Sequence, residues 1–359
     1  MPETHPPEQF RPGETLGAYI LLCPLAVGGM GTVWSAALTG ERGFSKLVAI
    51  KTILHEFADE VQYVRALRDE AQLAASLNHP NLCDVTELAE SQGYPFLVME
   101  WVDGASLIEL LNVGGPTPAW RTLEPLVASQ IAADVCAGLH ALHEARDSAG
   151  ELLGAVHRDV SPHNILLTQR GQVKISDLGV AKARGQWRAR TRSGELRGKL
   201  GYLAPEQLRA SNADRRADVH AVGCILYLSL GGALPYPPEV ASFELVLAGK
   251  YRPLEQLCPA VPRGLRDIVT KALQTDPDAR FPTARALREE LESWRAQHLA
   301  ELGQQAEHGQ ERVASCLNER VGSLIRARNA RITAAFEHFL AGAAGPLGGA
   351  AAGTTASAQ

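Results

Sequence analysis

The chain has six cysteines and no C-x-x-C pair; Cys23, Cys83, Cys136, Cys224, Cys258 and Cys316 are scattered along its 359 residues. That spacing argues against a disulfide framework or a zinc site and predicts reduced thiols in a cytosolic protein. Long apolar runs are missing too. The nearest approach, "FLAGAAGPLGGAAAG", is Gly/Ala-rich and broken by Pro346, too weakly apolar to span a bilayer. The opening "MPETHPPEQFRPGET" has no apolar stretch of the kind a secretion signal needs, so no signal peptide is expected. There is no basic excess either. The net charge of −5 gives no bias toward nucleic acid or anionic membrane. Internal repeats are also missing. What remains is 45% apolar and 21% charged, the composition of a soluble globular protein. The length suits two packed domains, or one large two-lobed domain with an appendage. The expected setting is the cytoplasm, without a membrane span or a nucleic-acid partner.

The order of patterns along the chain is uneven. Residues 1–18 form a polar, Pro-rich lead-in expected to be disordered. From Tyr19 the runs "YILLCPLAV", "TVWSAAL" and "KLVAIKTIL" read as strands separated by Gly-rich and charged turns. "DEVQYVRALRDEAQLAASL" then takes helical spacing, with Val61, Val64, Leu67, Ala71 and Ala74 on one face. Two short strands follow, around "CDVTELAE" and "PFLVMEWV". After Gly104 the chain becomes mainly helical. Leu126, Ile131, Val135, Leu139 and Leu142 mark one stripe, and "DVHAVGCILYLSLGGALPY" is so uniformly apolar that it predicts a helix buried on all sides. The fold class predicted is α+β: a small β-rich lobe with one main helix, then a larger helical lobe. A helix-prone segment at 295–341 carries a loose apolar stripe, Val313, Leu317, Val321, Leu324, Ile325, Ile332, Phe336 and Phe339. It is expected to pack on its own domain, with self-association through it as the alternative. The Gly/Ala/Ser/Thr-rich residues 342–359 are expected to be disordered.

Several short motifs carry chemistry. In "LAVGGMGTV", Leu25, Ala26, Val27, Gly28, Gly29, Met30, Gly31, Thr32 and Val33 form a Gly-rich hairpin whose backbone N–H groups can receive phosphate oxygens. Ala26 stands where the G-x-G-x-x-G pattern has its first glycine, and one added methyl is tolerable unless that residue needs φ > 0. Lys51 follows on "VAIK", and Glu70 on the next helix is its candidate partner, since Asp69 points about 100° away around the helix. A Lys–Glu pair can hold an ammonium against the α- and β-phosphates. "HRDVSPHN" places Asp159, a base for a hydroxyl, and Asn164, a metal-binding amide, on one loop. "KISDLG" supplies Asp177, a carboxylate suited to the hard cation Mg²⁺. "GYLAPEQ" supplies Ala204-Pro205-Glu206.

In this order the motifs resemble those of the Hanks-type protein kinases, and most closely the bacterial Ser/Thr kinases, over roughly three quarters of the chain, residues 19–294. The resemblance implies a two-lobed kinase fold using ATP and Mg²⁺ on protein substrates in bacterial signalling. By it, Asp159 is the catalytic base, Asn164 and Asp177 hold the metal, and Lys51 with Glu70 positions ATP. Met99 matches the gatekeeper, Glu100 to Val102 the hinge that reads adenine, and Val33, Ala49 and Leu166 the residues sandwiching the base. Asp218 matches the carboxylate supporting the catalytic loop, and Arg280 the partner of Glu206.

Two positions depart from the family. Ser161 stands where a catalytic-loop lysine is usual, and Lys199, in "GKLGY", where a threonine is usual. The implied exchange moves ammonium and hydroxyl between loops while keeping one of each near Asp159, so Lys199 and Ser161 join the catalytic candidates. The alternative is a pseudokinase, an ATP-binding scaffold in which Lys199 is one charge of a basic loop. Pro162 favours Ser/Thr over Tyr as acceptor. Thr191 and Ser193, flanked by Arg188, Arg190, Arg192 and Arg197, are candidate autophosphorylation sites, with Arg158 available to dock the phosphate.

Overall fold

The computed structural model describes residues 10–28, 31–40, 45–53, 61–112, 120–178, 200–209, 213–237, 243–303 and 309–343. Its small lobe is built on an antiparallel sheet. The strands are Thr15–Leu16 (β1), Tyr19–Gly28 (β2), Gly31–Thr39 (β3), Ser45–Ile53 (β4), Val85–Ser91 (β5) and Tyr94–Glu100 (β6), in the order β1-β2-β3-β4-β6-β5. Side chains alternate across the pleat. Leu21, Trp34, Ala36, Val48, Ile50, Phe96 and Val98 fill one cluster, while Ile20, Leu22 and Ala37 face the opposite way. Val61–Ala75 (α1) lays Leu67 and Ala71 against Ala49, Ile53, Leu97 and Met99.

The disorder expected of residues 1–18 does not hold for their second half. Residues 10–18 are ordered: Leu16 is buried, β1 pairs with β2, and the Phe10 ring meets Tyr94 edge-on. Apolar Phe10 and Leu16, each isolated among polar neighbours, gave no periodic signal, and only the sheet edge supplies their burial. Residues 1–9 lie outside the described residues.

The chain passes to the large lobe through a short strand, Gly104–Ser106 (β7), which pairs with Ile165–Thr168 (β8), itself paired with Val173–Ile175 (β9). The helices are Leu107–Leu111 (α2), Pro125–His143 (α3), Pro205–Leu208 (α4), Arg216–Gly231 (α5), Phe243–Leu247 (α6), Leu254–Leu257 (α7), Arg263–Ala272 (α8), Ala284–Glu301 (α9) and Gly309–Ala343 (α10). Every residue of α5 from Ala217 to Leu230 is buried, as its mostly apolar sequence requires, and Asp218, His220 and Ser229 are buried with it. By length and composition α3 could cross a bilayer, but it fills the large-lobe core, with 78% of its apolar window buried. Thr283 caps α9, its hydroxyl oxygen accepting the Ala286 N–H at 3.1 Å.

α9 runs past Trp294 to Glu301, and the Trp294 and His298 rings stack within it. α10 then returns along the molecule. Val313, Leu317, Val321 and Ile325 join the large-lobe core, whereas Ile332, Ala335, Phe336 and Phe339 pack on the small-lobe sheet. Leu324 is the exposed member of the expected stripe and Phe336 and Phe339 are partly buried; Val313, Leu317, Val321, Ile325 and Ile332 are buried within the chain. The tail beyond Ala343 lies outside the described residues.

Candidate active site

The cleft between the lobes is built from strand ends and two short loops. β2 and β3 carry Leu25, Ala26, Val27 and Gly28 out and Gly31, Thr32 and Val33 back, with Val27 opposite Thr32 and Gly28 opposite Gly31. Gly29 and Met30 at the tip lie outside the described residues. Ala26 has no positive φ, which explains why alanine serves there. Gly31 is irreplaceable for a different reason: a Cβ there would sit 1.7 Å from the Thr52 carbonyl oxygen on β4.

β4 continues two residues beyond Lys51, so the lysine is not a solvated strand end. Its side chain turns into the cleft and meets two carboxylates, Glu70 Oε2 at 3.2 Å and Asp177 Oδ1 at 2.7 Å. Burial alone would favour the neutral amine. Asp177 and Glu70 outweigh it and hold the ammonium above its ordinary range. Glu70 is itself buried on α1, whereas Asp69 is only partly so. Helical geometry thus selects the acid named from the sequence.

Val33, Ala49, Met99 and Val102 come together in one apolar cluster beside Leu67, Ala71 and Cys83. Leu166 lies apart from that cluster, on β8 opposite Ser106, on the large-lobe side of the cleft. Glu100 has a role the motif alone did not reveal. Its carboxylate receives Lys174 Nζ and the Asp84 backbone N–H, at 2.7 Å and 2.8 Å, tying the hinge to β9 and to the start of β5. Burial pushes the neighbouring Cys83 thiol up to about 12, so it is inert packing.

The loop from His157 to Asn164 is held from beneath. Asp218, buried on α5, accepts the backbone N–H groups of His157 and Arg158 at 2.9 Å and 2.8 Å, and His143 Nε2 lies 2.7 Å away. Burial pushes this carboxyl up, but the His143 contact and the nearby charges more than reverse that, leaving it below the usual carboxylate range. On the loop, Asn164 Nδ2 donates to the Asp159 carbonyl at 2.9 Å and to Asp159 Oδ2 at 3.1 Å. The Ser176 N–H donates to the Asn164 carbonyl at 2.9 Å, which brings the segment carrying Asp177 against the same loop. Both Arg158 and Asp177 adopt left-handed backbone conformations, φ 62 and φ 56. For non-glycine residues such conformations persist only where the surroundings enforce them, and they cluster at functional sites.

These residues fit a Mg²⁺ ion. Nδ2 of Asn164 is committed to Asp159, so its amide oxygen is the group left to coordinate, and Asp177 adds a carboxylate. A hard cation takes such oxygen ligands and completes its shell with nucleotide phosphate and water. Ser161 is buried, and its hydroxyl has no hydrogen-bond partner among the described residues. Lys199, Thr191, Ser193 and the arginines around them lie outside the described residues. Beyond the loop, Arg280 grips Glu206 through two bonds of 2.7 Å and 2.8 Å, fixing the start of α4.

Comparisons with known proteins agree with this arrangement. The protein kinase domain family matches residues 22–291. "Tyrosine-protein kinase MasK" of Myxococcus xanthus is 39% identical over 290 residues, 80% of this chain and 44% of that protein. "Serine/threonine-protein kinase PrkC" of Bacillus subtilis is 31% identical over 279 residues, 77% of this chain and 40% of that protein. The chain thus spans less than half the length of these two curated relatives. A crystal structure of the Mycobacterium tuberculosis PknI kinase domain superposes with a TM-score of 0.60 at 24% identity, covering 80% of this chain and 99% of that one. That likeness concerns the fold. With two lobes around a cleft and the motif residues gathered in it, the chain belongs to the protein kinase family, in its Hanks-type, eukaryotic-like branch.

Proposed function

We propose that this chain acts in the cytoplasm and transfers the γ-phosphoryl group of Mg-ATP to serine and threonine hydroxyls of protein substrates in bacterial signalling. The observation that carries this reading is Lys51 held between Glu70 and Asp177 while Asn164 pairs with Asp159. A chain that had lost catalysis would have no call on both arrangements at once. The Gly-rich hairpin from Leu25 to Val33 closes over the phosphates, and Lys51 fixes the α- and β-phosphates by position and charge. Val33, Ala49, Met99 and Val102 receive the adenine from the small-lobe side, and Leu166 from below, with the hinge backbone from Glu100 to Val102 reading its edge. A bound Mg²⁺ would neutralise charge between the β- and γ-phosphates, held by Asn164 and Asp177.

Asp159 accepts the proton of the substrate hydroxyl as that oxygen forms its bond to the γ-phosphorus. The bond from the γ-phosphorus to the β–γ bridging oxygen breaks, and ADP leaves with those electrons. Lys199 supplies positive charge at the γ-phosphate in place of the missing catalytic-loop lysine, and Ser161 supplies the neutral hydroxyl. The activation loop carries the autophosphorylation sites, Thr191 and Ser193. Arg158 is suited to dock such a phosphate, since its Nε is buried without a hydrogen-bond partner among the described residues. Self-association through the C-terminal segment is no part of this reading, because most of its apolar stripe is covered by the chain's own lobes.

Labelled ATP with a generic basic protein tests the proposal. Phosphorylation that disappears in Asp159→Asn supports the kinase, whereas equal background in both supports an ATP-binding scaffold. Acid hydrolysis of the labelled product then separates acceptors. Pro162 and the similarity to PrkC, a serine/threonine-protein kinase, favour phosphoserine and phosphothreonine. The similarity to MasK, a tyrosine-protein kinase, gives phosphotyrosine as the second reading.

A further inference from the structure

We propose that α10 is a brace across the hinge, and that Arg328 and Asn329 are positioning residues that set the adenine-reading backbone and limit lobe opening. Thirty-five residues of helix extend about 52 Å at 1.5 Å per residue, long enough to run along both lobes. Its apolar contacts change partner midway. Val313, Leu317, Val321 and Ile325 are anchored in the large lobe, and Ile332, Phe336 and Phe339 on Ile20, Leu22, Cys23, Ala37 and Trp101 of the small lobe.

The two anchors meet at a polar stretch where the helix crosses the hinge. Arg328 Nη2 donates to the Gly104 carbonyl, and its Nη1 lies 3.3 Å from Glu109 Oε1 on α2. Asn329 Nδ2 donates to Asp103 Oδ1 at 2.8 Å, while the other oxygen of Asp103 accepts from Gln169 Nε2 at 2.7 Å. Asp103 directly follows Val102. The hinge is therefore clamped from the large-lobe turn and from α10 together. At that turn the fit is tight: Gly171, at φ 82, faces the helix so closely that a Cβ would lie 1.8 Å from the Gln310 carbonyl oxygen.

The physical consequence follows from where the contacts fall. Domain closure in such a cleft is a rotation about a few hinge residues. A helix packed on both lobes and bonded to the hinge itself must lose one set of contacts for that rotation to be large. The brace therefore favours a hinge shaped to receive adenine, and it couples nucleotide binding to the docking of residues 309–343.

The inference rests on the kinase reading for its effect on ATP, but hydrogen exchange tests it without nucleotide. In the full-length chain, Arg328→Ala combined with Asn329→Ala should raise amide exchange at residues 100–106 about tenfold. It should also raise KM for ATP on the order of three- to tenfold, with kcat within about twofold. Phe336 is only partly buried, so Phe336→Ala keeps the fold and loosens the small-lobe anchor alone; exchange at residues 20–23 should rise and KM should follow. Arg328→Lys, which keeps a donor for Gly104, should recover part of the loss. Hinge exchange and KM equal to wild type in the double variant would overturn the brace. A chain that transfers no phosphate yet shows the exchange change defeats the kinase reading and leaves the brace standing.

Discussion

Asp218 holds Arg158 in a backbone conformation that arginine would not choose. Its Oδ1 accepts the Arg158 N–H at 2.8 Å while Arg158 sits at φ 62, and its Oδ2 holds the preceding amide of His157 at 2.9 Å. A left-handed non-glycine residue costs on the order of 1–3 kcal/mol, and charge-assisted bonds to a buried carboxylate offset it. Because the next residue is Asp159, the strain and its support both bear on where the Asp159 carboxylate points.

Replacing that carboxylate separates the roles. Asp218→Ala leaves two amides and His143 facing an apolar gap and should destabilise the large lobe by about 3–5 kcal/mol, as loss of one partner from a buried charged pair does. Asp218→Asn keeps the shape but turns one acceptor into a donor, costing about 1–3 kcal/mol. The carboxyl titrates below the ordinary value in the folded state. It therefore contributes its stability above about pH 4, the unfolded value, and loses it as pH falls through the lower folded value. Denaturant melts of wild type and Asp218→Asn should differ by a constant amount near neutrality and converge in acid. A gap independent of pH would show that the charge of Asp218 is not what supports the loop.

Lys51→Met should reduce phosphoryl transfer by at least about 10²-fold, the loss typical of a preorganised charge-stabilising group, with circular dichroism unchanged. The structure adds a second expectation. Without the ammonium, Glu70 and Asp177 face each other as like charges, so α1 should pull away from the cleft and its amides exchange faster. Retention of most activity would mean the small-lobe assignment is mistaken.

The exchanged pair is testable by rescue. Lys199→Ala should cut turnover by about 10²–10³. Ser161→Ala should cost less, and should leave stability nearly unchanged, since the buried Ser161 hydroxyl has no partner among the described residues to lose. Ser161→Lys combined with Lys199→Thr restores the usual family arrangement and should recover much of what Lys199→Thr alone loses. Wild-type turnover in Lys199→Ala would reduce Lys199 to a loop charge.

Mass spectrometry after incubation with ATP should place phosphate on Thr191 or Ser193, between Gly185 and Arg197. Arg158→Gln should then weaken the activation that phosphorylation brings, because the phosphate carries about −1.5 to −2 charges that an arginine can hold. An active preparation without phosphate there would defeat the proposal.

Arg280 makes two bonds to Glu206 and donates to the carbonyls of Gln274, Arg216 and Thr275. Arg280→Met should cost about 3–5 kcal/mol by stranding the buried Glu206. The double variant Arg280→Met with Glu206→Leu should cost less than the sum of the two single changes. Additive thermal shifts would show that the pair is not coupled.

What could be read beforehand was local or ordered along the chain. Strand and helix periodicities located both lobes, the apolar run of α5 announced its burial, and the spacing within "HRDVSPHN" put Asp159 and Asn164 on one loop. The partnerships of Asp218, and of Arg280 with Glu206, were legible only through the family resemblance, since residues 74 apart in the second pair have no local reason to meet. The tight meeting of Lys51 with Asp177, 126 residues later, was not foreseen, nor was the ordered β1 edge. Nothing in the sequence marked Asp103, Arg328 and Asn329 as a hinge clamp. The amino-acid sequence determined the elements, the motif chemistry and the apolar stripe of α10, because periodicity and side-chain type act over a few residues. Which surface that stripe would cover was decided only by the tertiary structure. An apolar stripe is equally satisfied by any apolar surface of matching shape, and only the folded lobes present such a surface on both sides of a polar hinge.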